Sequence, residues 1–164
     1  MAEGSRGRRW RWTLVDRREA LIASHTLELD PDGRFSHLES ATAAGLLSLH
    51  READGSLHGN RLSERGVDHL QVPAPAPELV LVGSGPIGLA AMAAGLGDEP
   101  TPTLDIVEVA DDLGVRIAEV LVRRLPGGRL ELKADRGTRR VELDAVGLPP
   151  DDGASTTSWA LERD

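Results

Sequence analysis

From Trp10 onward the apolar positions fall mainly in short runs of extended-chain character, broken by turn signals every eight to twelve residues. Trp10, Trp12 and Leu14 alternate with Arg11, Thr13 and Val15, the period of two that a half-buried strand requires. Leu21 to Leu29 predicts a second strand, ended by Asp30-Pro31-Asp32-Gly33, where proline presets the turn and glycine accepts positive φ. Arg34 to Glu39 resumes in extended form. Leu46 to His50 and Ser56 to Arg61 flank Ala53-Asp54-Gly55, the Asp-Gly signature of a hairpin. Val67 to Val72 alternates again before Pro73-Ala74-Pro75-Ala76-Pro77, an extended crossing segment in which proline lacks the donor a ladder needs. Glu78 to Val82 is continuously apolar, as a strand covered on both faces would be.

The pattern then changes. Pro86 suits the first position of a helix, and Ile87, Leu89, Ala90, Ala91, Met92, Ala93, Ala94 and Leu96 follow without a charge. A helix apolar all round is buried on all sides, and this one is too short for the ~20 residues of a membrane span. Gly95, Gly97, Pro100 and Pro102 end it. Strands return at Leu104 to Val109, Arg129 to Lys133, Arg139 to Leu143 and Thr157 to Leu161, while Val115 to Leu125 fits strand or helix. Turns at Gly127-Gly128, Asp135-Arg136-Gly137 and Asp151-Asp152-Gly153 separate them. The expected fold class is therefore mainly β and antiparallel, with one buried helix from Pro86 to Leu96.

Composition narrows the function. The 164 residues suit a single domain, 10–164, behind a Gly/Arg-rich basic tail, 1–9, expected to be disordered. There is no Tyr and one Phe, so Leu, Val and Ala must fill the interior. A net charge of −8 argues against a nucleic-acid surface and against anionic lipid. The absence of cysteine excludes disulfides, thiol catalysis and cysteine metal sites. The basic start runs into Trp10 and Trp12 rather than an apolar signal core, so a cytoplasmic location is the expectation.

Candidate chemistry is sparse. His25, His37, His50, His58 and His69 include no HExxH and no i, i+4 pair, although His50, His58 and His69 could meet across adjacent strands beside Asp68. Ser84 does not stand in a nucleophile elbow. Asn60 and Arg61, near His58, form the densest polar cluster before the predicted helix, and they are candidate ligand contacts together with Asp68. One motif points elsewhere. Gly83-Ser84-Gly85-Pro86-Ile87-Gly88 between a strand and a helix has the layout of a pyrophosphate site, with Gly83, Gly85 and Gly88 approaching FAD or NAD and Glu108, 20 residues on, placed for a ribose. Against it, the flanking sequence reads as hairpins rather than crossover units.

The stretch GLLSLHREADGSLHGNRLSERGVDHL, followed by Pro86-Ile87, the strand Leu104 to Val109, Leu113 with Val115, the Gly127-Gly128 hairpin and Leu143-Asp144 with Gly147-Leu148, resembles the glycolipid-binding family of spiral β-rolls. The resemblance implies a β-roll or half-barrel curled around the helix, and non-catalytic binding of an amphipathic lipid or glycolipid. Leu89, Met92 and Leu96 would then face the ligand from the helix. The other readings that remain are the FAD/NAD-binding domain and an interaction module that pairs its sheet edges as a homodimer.

Overall fold

The computed structural model describes residues 7–16, 18–83, 103–127, 129–134, 137–142 and 157–162. They form two open sheets. The first has seven strands in the order β12-β1-β2-β3-β4-β5-β6 and the second has five, β11-β10-β9-β8-β7. In the first sheet β1 (Arg8–Val15), β2 (Leu21–Leu29), β3 (Phe35–Thr42), β4 (Gly45–Arg51), β5 (Leu57–Ser63) and β6 (Gly66–Val72) run up and down in chain order. The last strand, β12 (Thr157–Glu162), returns to pair with β1. The second sheet holds β7 (Leu79–Val82), β8 (Thr103–Val109), β9 (Val115–Leu125), β10 (Arg129–Ala134) and β11 (Gly137–Glu142).

Local chemistry sets the hairpins. In the β4–β5 turn, Asp54 Oδ1 accepts from Ser56 N at 2.9 Å and from Ser56 Oγ at 2.6 Å, and the Ser56 hydroxyl holds the Asp54 carboxyl below its usual range. Gly55 supplies the positive φ of that turn. Gly59 serves packing instead: a Cβ there would lie 2.1 Å from Ser48 O.

The expectation of one antiparallel sheet curled around a helix is overturned. The interior lies between two sheets: Trp10, Trp12, Leu27, Phe35, Leu38, Leu49 and Leu57 of the first pack with Val80, Val82, Val107, Val109 and Leu113 from the second sheet and its β8–β9 turn. The opposite face of the second sheet carries its own cluster, Ile106, Val120, Val122, Leu130 and Leu132. A sheet covered on both faces needs continuous apolar strands, which is why Leu79–Val82 reads as it does. The sheets are also not purely antiparallel, since β7 pairs with β8 in parallel. No helix occurs among the described residues, and the segment from Pro86 to Leu96 lies outside them. The segment that fits strand or helix, Val115–Leu125, is strand β9.

Three polar ties join the sheets near their common core. Phe35 N donates to Glu78 O at 2.8 Å, and Thr42 Oγ1 donates to Asp111 O at 3.1 Å. Arg51 spreads its guanidinium over four carbonyls: Phe35 O at 3.0 Å, Gly55 O at 3.0 Å, Ala76 O at 3.3 Å and Pro77 O.

Candidate functional site

Strand alternation gives the seven-stranded sheet two chemically different faces. Leu27, Leu38 and Leu49 stand opposite one another on the core face. On the other face the register aligns two rows. Thr26, Glu39, Ser48, Asn60 and His69 make a polar row across β2 to β6. Ser24, Ala41, Leu46, Leu62 and Val67 make a mainly apolar row beside it. Together they line a trough of ≈ 640 Å³. Five neighbouring strands, about 19 Å across, form the floor of the trough. A third row, His37, His50 and His58, continues the same face, with the His50 and His58 rings 6.4 Å apart.

Within the trough, His69 Nδ1–H donates to Asn60 Oδ1 at 2.6 Å. The Asn60 amide N–H₂ and, in the neutral ring, His69 Nε2 remain as a donor and an acceptor for a ligand. Thr26 and Ser48 add hydroxyls, and Glu39 adds a carboxylate. Leu46, Leu62 and Val67 stay 53%, 47% and 57% exposed along the apolar row.

The three polar candidates from the sequence do not converge. Asn60 faces the trough. Arg61 and Asp68 lie on the opposite face, opposite each other in register, and form an ion pair with Arg61 Nη2 2.7 Å from Asp68 Oδ2. His50 and His58 meet, but His69 stands one row away beside Asn60, and Asp68 is engaged by Arg61. Among the described residues no group of three His, Asp or Glu side chains is arranged to hold a metal ion. Thr26, Glu39 and Ser48, which complete the polar row, are not singled out by the sequence.

The remaining candidates sit elsewhere. Gly83 ends β7 with φ of +47° and donates its N–H to Val109 O at 2.5 Å. A Cβ at Gly83 would meet Asp111 Oδ1 at 2.2 Å, so a carboxylate, not an anion-binding opening, faces this glycine. Glu108 stands opposite Arg116 and is ion-paired with it. Beyond the β7–β8 pair, β8 and β9 are antiparallel, whereas a dinucleotide unit continues in parallel. Gly85, Gly88, Leu89, Met92 and Leu96 lie outside the described residues.

A buried Ser–His pair lies on the core side. His25 Nδ1 and Ser40 Oγ are 2.7 Å apart, and the His25 ring stacks on Trp12 at 4.8 Å between centroids. Burial pushes the His25 imidazole down to about 4, against the opposing pull of the Asp111 carboxylate. Both side chains are sealed from solvent, at 4% and 2% exposure, so the pair packs the core rather than serving a substrate.

No family model matches the chain, and no curated protein sequence matches it. Among solved structures it is similar to a DUF1089-family protein of Pseudomonas aeruginosa, with a TM-score of 0.58 and 17% identity over 92% of this chain and 85% of that one. At that identity the likeness concerns the fold alone.

Proposed function

We propose that the trough binds, without catalysis, an amphipathic lipid-like ligand whose head group is neutral and rich in hydroxyls, as in a glycolipid. The observation that carries this reading is the pairing of an apolar row with a polar row along one groove. The volume of ≈ 640 Å³ is within the range of small-ligand sites. An alkyl chain laid against Leu46, Leu62 and Val67 leaves its head beside Ser48, Asn60 and His69, one row away. Those groups offer hydroxyl, amide and imidazole partners suited to sugar hydroxyls. Glu39 in the same row disfavours an anionic head.

Octyl glucoside, titrated below its micelle threshold, is expected to bind the full chain. Octyl phosphate is expected to bind at least about tenfold more weakly, and Glu39→Gln to narrow that gap. Leu62→Asn is expected to weaken the glucoside by a similar factor. Absence of glucoside binding, or binding indifferent to Leu62→Asn, would refute the assignment.

A further inference from the structure

We propose that one end of the seven-stranded sheet docks on a lipid–water interface, and that the trough loads its ligand there. The loading step rests on the amphipathic-ligand reading above. In an up-and-down sheet, the β1–β2, β3–β4 and β5–β6 turns share one end, and the β2–β3 and β4–β5 turns the other. Among the described residues of this sheet, the exposed large apolar ones are Leu21, Ile22, Leu46, Leu62 and Val67. All five lie within two residues of a strand terminus at the first end, beside the turns at residues 16–20, 43–44 and 64–65. The opposite turns are acidic, with Asp30, Asp32, Glu52 and Asp54.

The patch is continuous with the trough. Leu46, Leu62 and Val67 line the trough itself, and Leu21, Ile22 and Leu46 line a second hollow of ≈ 500 Å³ that shares Ala41 and Leu46 with it. An apolar chain could therefore pass from the end of the sheet into the groove without crossing the polar row. The exposures of 60%, 47%, 53%, 47% and 57% correspond to a patch of about 500 Å². That is the size of the largest apolar patch on a typical monomer, which often marks a binding surface. Two copies facing each other would bury about 1,000 Å² in all, short of the ~1,200–2,000 Å² of a stable specific interface. A lipid surface needs no such matched partner, because affinity there scales with the apolar area inserted. The turns at the docking end carry Asp16, Glu19 and Glu64 as well as Arg18 and Arg65, so they form no basic patch, and with −8 net charge on the chain the surface should be electrically neutral rather than anionic.

The test is cosedimentation of the full chain with phosphatidylcholine vesicles, alongside octyl glucoside titration. Wild type is expected to partition onto the vesicles, and adding phosphatidylglycerol is expected to weaken partitioning at low salt. Leu21→Ser combined with Ile22→Thr is expected to lower partitioning at least about fivefold while leaving glucoside binding intact. Ile117→Thr, on the second sheet and as exposed at 54%, is expected to change nothing. Far-UV circular dichroism checks that each variant is folded. Wild type remaining in the supernatant, or the double variant partitioning like wild type, overturns the proposal. So does a dimer in sedimentation velocity that the double variant abolishes, since the patch would then belong to a second copy. Glucoside binding without vesicle binding removes the docking surface alone. Vesicle binding lost in the double variant, with no glucoside binding, keeps the docking surface and removes the trough ligand.

Discussion

At the scale of single residues, a buried histidine and a half-buried arginine tie stability to chemistry. His25 is held neutral by burial against Trp12 and Ser40, with its ionisation near 4 against an ordinary 6.5. Above pH 6.5 neither folded nor unfolded chain carries that proton. As pH falls through 6.5 the unfolded chain binds it first, so stability is lost progressively until about 4, by up to about 3 kcal/mol. Comparing urea unfolding at pH 7.5 and 4.5, His25→Gln is expected to lose less stability on acidification than wild type. Equal losses would show that another group sets the acid response. Arg51 acts differently, through four carbonyl partners on Phe35, Gly55, Ala76 and Pro77. Arg51→Met keeps the stem but strands those acceptors, at an expected cost of about 2–4 kcal/mol. Arg51→Lys should recover little of it, because an ammonium lacks the planar fork. Rescue by lysine would mean that charge, not geometry, is what matters here.

At the scale of elements, the β4–β5 hairpin leaves no room for a side chain at Gly59. Gly59 faces Ser48 O and Leu49 Cδ2, which an added Cβ would meet at 2.1 and 2.6 Å. Gly59→Val is expected to destabilise the chain by about 3 kcal/mol or more despite its better strand propensity, because the ladder itself must move. A neutral or stabilising effect in denaturant titration would contradict this geometry. The strands themselves were legible, since alternation and Asp-Gly or Pro-Asp-Gly turns locate β1 to β6 within a few residues. Half of the trough was legible too: a hairpin centred on Asp54 sets Ser48 opposite Asn60 and Leu46 opposite Leu62. Joining Thr26, Glu39 and His69 to that row needs three more registers, each sensitive to a one-residue slip. Proximity in sequence misled at Asn60 and Arg61, which alternation sends to opposite faces. The division into two sheets was not legible. An apolar run such as Leu79–Val82 reports that both faces are covered, not whether helix or strand covers them.

At the scale of the molecule, the two sheets have no independent interiors on their facing sides. Phe35 is fully buried in the cluster that joins them, and its own N–H reaches Glu78 just before β7. A shared core couples the fates of the elements that line it. Phe35→Ala removes the largest fully buried side chain among the described residues, at an expected cost of about 3–5 kcal/mol. The loss should not be confined to the first sheet. Trp10 and Trp12 lie in the first sheet's part of that core, so tryptophan fluorescence follows that side. Hydrogen exchange of the β7 and β8 amides follows the other. In wild type the most protected amides of both sheets are expected to exchange through one common opening, and Phe35→Ala should lower that protection equally on both sides. If β8 amides kept their wild-type protection while the tryptophan transition moved, the sheets would be separate folding units. The contacts of Val107 and Val109 with the first sheet would then be docking rather than core. Equal loss would instead make the trough's shape a property of the whole molecule, since the second sheet fills the face opposite the trough.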